Sequence, residues 1–443
     1  MVSRAELLKT EILEKTKEYY ELVHQPTQEK VFVEGERVNY AGRVFDADEM
    51  QTLVDSSLEF WLTYGKYSKT FEKELSEYLG IRFSLLVNSG SSANLLAFYA
   101  LTSPLLKERQ VKRGDEVITV AAAFPTTVAP IIQYGAVPVF VDIELEHFNI
   151  DTTLLEKALS SKTKAVMIAH TLGNPFDIAS VKAFCDKHNL WLIEDNCDAL
   201  GSLYKGKQTG TWGDIGTSSF YPPHHLTMGE GGAVYTNNPL LKKIMLSMRD
   251  WGRDCWCESG VDNSCGVRFN QQFGSLPKGY DHKYVYSHFG FNLKPSDMQA
   301  AIGVAQLKKL PDFTKKRVEN FNKISVGLKD IAFLHSVKSQ KNSNPSWFGF
   351  LMRVDKKAPF TRNEIVEFLE SNKIQTRNLF SGNLIRQPLF DTLTEGKDYK
   401  LVGILPNTDI SMEDAFWIGV YPGMSHEAIA YMIRKIQDFC NAK

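Results

Sequence analysis

Two adjacent histidines, His224 and His225, follow Pro222-Pro223 at the end of a short run, Asp214 to Tyr221, that reads as a strand. Neither proline can donate to a sheet ladder, so the chain must leave the sheet there and present its next side chains. Met228-Gly229-Glu230-Gly231-Gly232 follows, and its glycines permit close backbone approach. An imidazole so placed can take and return protons near neutral pH. Taken alone, the pair is better described as two loop histidines.

Other residues with chemical capacity stand at comparable junctions. Glu194-Asp195-Asn196-Cys197-Asp198 closes an apolar strand, where an acid is costly to bury unpaired. Asn88-Ser89-Gly90-Ser91-Ser92-Ala93-Asn94 lies between a strand and a helix. Amides at a helix start, with small hydroxyl side chains, suit a phosphate ester, although Ser and Gly also occur there merely as caps. Phe124, in Ala121-Ala122-Ala123-Phe124-Pro125-Thr126-Thr127, reads on composition alone as a core ring. Cys197, Cys255, Cys257 and Cys265 give the spacing C-x57-C-x-C-x7-C. It is neither a zinc-finger nor a plant-ferredoxin spacing. If Cys255 and Cys257 are extended, both thiolates face one side and can address one ion or cluster. Four cysteines suit zinc as well as iron. Cys185 and Cys440 fall outside the pattern and read as structural.

The elements that must position these residues alternate in type. Strands are expected at Ser84–Val87, Glu116–Val120, Val137–Val141, Ala165–Ala169 and Leu190–Glu194, with helices such as Ser92–Leu101 and Ile178–Lys187 between several of them. Such alternation predicts a mainly parallel sheet with functional groups at the carboxyl ends of its strands. Ala5–Leu22 has helical spacing, and Asp46 with Glu49 forms a capping box ahead of a helix through Phe60. Ser296 reads as the cap of a further helix. From about 335 the pattern becomes a strand at Phe348–Val354, a helix at Thr361–Ser371 and a last helix at Ala428–Cys440. The expected organisation is an N-terminal arm (1–38), a large α/β domain (39–330) and a smaller α+β domain (331–443).

With 443 residues, 43% hydrophobic, the chain can bury a sizeable core. A formal charge of −1 provides no field to recruit nucleic acid or an anionic membrane. No apolar run reaches the ~18 residues a membrane helix needs. Residues 1–23 are too charged for a signal peptide, so a cytoplasmic protein is expected.

The run Ser218-Ser219-Phe220-Tyr221-Pro222-Pro223-His224, with its downstream Gly-Gly, resembles the active-site loop of the DegT/DnrJ/EryC1 sugar aminotransferases, fold-type I enzymes that use pyridoxal phosphate. In that pattern a lysine holds the cofactor covalently. Counted from Ser219-Phe220, its position is His224. Thr63 to Glu72 and Gly290-Phe291-Asn292-Leu293-Lys294-Pro295-Ser296 also resemble family segments.

The resemblance implies several roles. Gly90, Ser91, Ser92 and Ser219 would hold the cofactor phosphate, Phe124 would stack on the pyridine, and Asp195 would pair with its nitrogen. Asp198 would stand near the ring's 3-hydroxyl. Asn292 would reach the phosphate of the neighbouring subunit, making a homodimer. Arg377 and Tyr421 fall in segments where substrate contacts are expected.

One branch of the family, the iron–sulfur 3-dehydratases of CDP-4-keto-6-deoxyglucose in 3,6-dideoxyhexose biosynthesis, joins this lysine-to-histidine change to a cysteine set of this spacing. That implies pyridoxamine 5′-phosphate held non-covalently, with His224 as the base and departure of the sugar's C3 hydroxyl. It also implies a [2Fe–2S] cluster on Cys197, Cys255, Cys257 and Cys265, fed by an NAD(P)H-dependent flavin or iron–sulfur reductase. The rival readings are the cluster-free GDP-4-keto-6-deoxymannose 3-dehydratase type and a catalytically dead fold-type I binding protein.

Overall fold

The computed structural model of the chain describes residues 2–28, 31–257 and 260–443; within the expected arm, Met1, Glu29 and Lys30 lie outside them. Ser3 caps α1 (Arg4–Val23), and Asp46 with Glu49 forms a capping box at the start of α2 (Ala47–Glu59). Glu49 is buried, with its charge met by Lys309 at 2.7 Å and Gln306 at 2.6 Å. α3 (Lys66–Leu79) opens on Asp297, whose carboxylate accepts from the amides of Gly65, Tyr67 and Ser68.

The large sheet then forms from the apolar runs. Its elements are β1 (Phe83–Val87), α4 (Gly90–Ala100), β2 (Glu116–Val120), α5 (Pro125–Tyr134), β3 (Val137–Val141), β4 (Thr163–Ala169), α6 (Ile178–Lys187), β5 (Trp191–Asp195), β6 (Ile215–Ser219), β7 (Gly232–Thr236) and α7 (Pro239–Arg249). A 32-residue helix, α8 (Asp297–Leu328), follows, capped by Ser296 with Gln299. Beyond it lie β8 (Leu334–Ser336), β9 (Gly349–Val354), α9 (Arg362–Ser371), β10 (Thr376–Arg377), β11 (Lys400–Leu401), β12 (Ala415–Gly419) and α10 (His426–Asn441).

The strand order is β1-β7-β6-β5-β4-β2-β3-β11, with β7 antiparallel to both neighbours and the other pairs parallel. The strands are almost wholly buried because helices cover both faces, as expected of a parallel sheet. A second sheet, β8-β9-β12-β10, belongs to the C-terminal part. One hydrophobic cluster runs from β2, β3 and β4 into β9, β12 and α10, so the two sheets share a continuous core.

Two expected boundaries shift in ways that matter for the site. β5 ends on Asp195, one residue later than the sequence pattern predicts, and Asp195 pairs with both Ala169 and Thr217. β6 spans only Ile215–Ser219, shorter than the expected Asp214–Tyr221, because its ladder with β7 ends where Ser219 meets Gly232. The segment after β6 is tied at both ends: Phe220, Leu226 and Met228 are buried with Phe71 and Leu75 of α3. Each such buried side chain contributes ~1.5–3 kcal/mol, so the turn carrying His224 is held by anchors on both sides.

Candidate active site

Because β1, β5, β6, β4 and β2 run parallel, their carboxyl ends meet at one edge of the sheet. A cavity of about 300 Å³ opens there. Its walls include Gly90, Ser91, Asn94, Phe124, Asp195, Cys197, Asp198, Ser219 and His224 from the large sheet's loops. Tyr40, Phe348, Arg377, Asn378 and Trp417 close it from the arm and the C-terminal part. None of the described residues lining it is a lysine.

Alternation along β5 separates two acids. Glu194 turns away and accepts from the amides of Gly210, Trp212 and Gly213. Asp195 sits at the cavity with Oδ2 accepting from Asn94 Nδ2 and Thr127 Oγ1, both at 2.7 Å, and Oδ1 from the Cys197 amide at 3.1 Å. Three donors satisfy the buried carboxylate and fix its orientation. A carboxylate so held is the acceptor that a protonated pyridine nitrogen needs.

Ser89 caps α4 and accepts from the Ser92 amide. Ser92 is therefore drawn to the cap, its hydroxyl 3.0 Å from that of Ser89, and it does not line the cavity as expected. Gly90 and Ser91 present the first turn of the helix to the cavity. A Cβ on Gly90 would come within 2.4 Å of the Ser219 Cβ, and one on Gly232 within 2.4 Å of the Ser89 carbonyl. Only glycine allows the helix start and the end of β6 to close into one cradle, and its amides, hydroxyls and positive helix end fit a phosphate ester. Phe124 is 51% exposed, with its ring on the cavity rather than in the core.

His224 lies with Nδ1 3.5 Å from Asp198 Oδ1. Burial pushes the imidazole down to about 4; the Cys197 backbone opposes this and the Arg317 charge adds to it. Burial and the charge of Asp195 push the Asp198 carboxyl up to about 8, against the pull of Arg317. His225 points elsewhere: it is buried, with Nε2 2.7 Å from the Ser346 carbonyl. Of the two histidines, His224 faces the cavity.

Arg317, on α8, carries no sequence signal because an arginine on a long amphipathic helix reads as solvent-exposed. Here it is buried and donates to the carbonyls of Trp347, Phe348, Pro223 and His224. Asn94 and Thr127, the partners of Asp195, lie inside motifs that the sequence does mark. Arg377 lines the cavity, whereas Tyr421 lines a separate cavity with Arg37 and Arg43. Asn292 is exposed and lies off the cavity of its own chain.

The four cysteines divide. The sulfurs of Cys255, Cys257 and Cys265 all lie within 4.8 Å of one another. Cys197 is not among them; it lines the cavity beside Asp195. Three clustered thiols are the soft donor set that iron or zinc takes. His282 stands beside the group, Nδ1 3.8 Å from Cys265 Sγ and Nε2 2.8 Å from Asp254 Oδ1.

Sheet order, strand direction and a cavity at the carboxyl ends define a fold-type I enzyme of the pyridoxal-phosphate class. The chain belongs to the DegT/DnrJ/EryC1/StrS aminotransferase family, whose model matches residues 44–437. It is 54% identical over 412 residues to the lipopolysaccharide biosynthesis protein RfbH of Salmonella typhimurium, covering 93% of each chain. It is 46% identical over 432 residues to dTDP-4-dehydro-2,6-dideoxy-D-glucose 3-dehydratase of Saccharopolyspora spinosa, covering 97% of this chain and 92% of that one. Among solved structures it is similar to E. coli GDP-4-keto-6-deoxy-D-mannose-3-dehydratase with bound hydrated PLP, with a TM-score of 0.80 and 28% identity over 90% of this chain and 98% of that one. No helix among the described residues is long and apolar enough to cross a membrane.

Proposed function

We propose that the chain is a dehydratase that removes the C3 hydroxyl of a nucleotide-linked 4-keto-6-deoxyhexose in deoxysugar biosynthesis, using pyridoxamine 5′-phosphate. The observation that carries this reading is the cavity wall: where the family places a lysine stands His224, and no lining residue offers a primary amine. A chain of this family without that amine cannot hold the cofactor covalently, which opposes ordinary transamination. Relatives named as sugar 3-dehydratases support the same class of reaction.

When bound, the pyridoxamine phosphate supplies an electron sink for loss of the C3 hydroxyl. Gly90, Ser91 and Ser219 would hold its phosphate, Phe124 would lie along the ring, and Asp195 would keep the pyridine nitrogen protonated. Asp198 is drawn to the same end of the cavity as His224 and, with its raised pKa, can donate a hydrogen bond to the ring oxygen. His224 is unprotonated near neutral pH and is the base for the C4′ proton. Arg317 fixes the backbone of His224 so that the imidazole keeps one position. Arg377, which lines the same cavity, would meet the sugar or its phosphates. Asn292 would complete the phosphate site of a second subunit, making the working form a homodimer.

The finer reading assigns the chain to the CDP-4-keto-6-deoxyglucose type with a [2Fe–2S] centre, which the grouping of Cys255, Cys257 and Cys265 supports. Such a centre would supply electrons singly, replenished by an NAD(P)H-dependent reductase. The cluster-free type remains the second reading, favoured by the likeness to the GDP-sugar dehydratase. Anaerobic protein reconstituted with iron, sulfide and pyridoxamine phosphate should form a 3-deoxy product from CDP-4-keto-6-deoxyglucose only when a reductase is present. Turnover to the 3-deoxy product without iron or reductase, with the two electrons drawn from pyridoxamine phosphate and that cofactor regenerated by an amino-group donor, supports the second reading. Transfer of an amino group to C4 as the main outcome refutes both.

A further inference from the structure

We propose that the thiol group closes across the dimer, Cys255, Cys257 and Cys265 of one subunit taking Cys197 of the partner subunit as their fourth donor. This rests on the iron–sulfur reading above and specifies how that centre is built.

Within one chain the four thiols are too far apart. The cavity walled by Cys255 and Cys257 lies against Phe83, Ser84 and Leu85 at the start of β1, the edge strand. Cys197 follows the carboxyl end of β5, three strands further in. Three strand spacings of ~4.8 Å, combined with the length of a five-residue strand at ~3.3 Å per residue, place these two points on the order of 20 Å from each other. Thiolates on one metal ion, at metal–sulfur distances of ~2.3 Å, lie ~4 Å apart. A two-metal centre adds only a few ångströms, so Cys197 cannot reach the centre of its own chain.

The remaining donors do not fill the gap. Cys185 is buried in the main core and Cys440 is packed against it. His282 lies near Cys265 through Nδ1, has its other nitrogen on Asp254, and lies outside the group of mutually close donors. Cys197, by contrast, stands on the wall of an open cavity.

The segment that carries the three thiols also displays an unusual amount of exposed aromatic surface. Trp256 is 49%, Tyr286 54% and Phe289 99% exposed, and Tyr284 lies with them on the surface. Exposed aromatic side chains gathered in one segment favour a face that meets another protein. Asn292 is joined to this segment through its bridge with Asp250. If Asn292 serves the partner's phosphate, the three thiols arrive beside the partner's cavity in the same docking, and a second copy is the occupant of the face. In a two-fold dimer the exchange is reciprocal, giving two equivalent centres.

Mixed dimers test this directly. Cys197→Ser and Cys257→Ser chains, each with its own affinity tag, are expressed separately and together, and doubly tagged dimers are isolated and reconstituted anaerobically. Iron, acid-labile sulfide and the electron paramagnetic resonance signal of the reduced protein are read. Each homodimer should lack a stable cluster while keeping the far-ultraviolet circular dichroism and dimeric sedimentation of wild type, which shows that it is folded. The mixed dimer has one intact pairing of two and should recover about half of the wild-type iron and sulfide. No recovery, with wild type fully loaded, overturns closure across the dimer. Full loading of Cys197→Ser, or of Cys197→Ala should serine itself ligate, assigns the fourth position elsewhere and overturns it too. Wild type that takes zinc and no sulfide overturns the iron reading, while zinc recovery in the mixed dimer sustains the shared site.

Discussion

Asp198 Oδ1 stands 3.5 Å from His224 Nδ1, and burial drives the two groups to opposite ends of their titration ranges. The carboxyl is pushed up to about 8 and the imidazole down to about 4, so between those values both are neutral. Two titratable groups whose pKa values are forced apart can divide the roles of donor and base.

This pair has a measurable signature in the stability of the metal-free, cofactor-free protein. An unfolded His224 takes a proton below its ordinary 6.5, whereas the folded one does so only near 4. The unfolded state thus binds more protons in that window, and the group costs stability as pH falls from 6.5 to 4. Asp198 acts in the other direction: the folded state holds its proton from 3.8 up to about 8, so its contribution is lost as pH rises through that range. Urea unfolding at a series of pH values should show the acid-side loss weakened in His224→Asn and the alkaline-side loss weakened in Asp198→Asn. Parallel pH profiles for wild type and both variants would rule out this account of the pair.

His224 and His225 should separate cleanly. His224→Asn is expected to bind pyridoxamine phosphate and to lose C4′ proton exchange by ~10²- to 10⁴-fold, the usual contribution of a general base. His225 is buried against the Ser346 carbonyl; losing its hydrogen bond costs ~1–3 kcal/mol of stability with exchange retained. Deuterium wash-in at C4′, measured alongside denaturant midpoints, decides which residue is the base.

Much of this site is legible from local pattern. The strand ends at 87, 120, 141 and 169, the cap at Asp46 and the missing lysine all follow from neighbours in sequence. What is not legible depends on distant partners. Arg317 looks like a surface residue until the turn around His224 folds onto α8. Ser92 looks like a phosphate contact until Ser89 claims its amide as a cap. Cys197 looks like one of four ligands, yet strand order separates it from the other three. Burial of a charge and distance across a sheet are set by tertiary packing, which spacing along the chain does not encode.

Arg317 gives a prediction that combines packing and charge. Its guanidinium serves four backbone carbonyls, so Arg317→Met strands several buried acceptors and should cost ~3 kcal/mol or more. Its charge also lowers both His224 and Asp198. Removing it should move the acid limb of the C4′ exchange profile to higher pH, with Arg317→Lys restoring part of the shift. A purely structural arginine would change the denaturation midpoint and leave that limb where it is.

Two phenylalanines that follow strands of the large sheet should respond in opposite ways. Phe220 is fully buried with Phe71, their ring centroids 5.2 Å apart. Phe220→Ala should therefore lose ~3–5 kcal/mol of stability through the cavity it leaves. Phe124 is half exposed on the cavity wall, so Phe124→Ala removes little packing and should change stability by ~0.5 kcal/mol or less. If its ring lies along the cofactor, the same change forfeits stacking of ~0.5–1.5 kcal/mol and weakens pyridoxamine phosphate binding by several-fold. Equilibrium dialysis with the free cofactor, compared with urea midpoints, reads both effects on the same two proteins. Unchanged affinity in Phe124→Ala removes the stacking role, and a large drop in its urea midpoint returns that ring to the core.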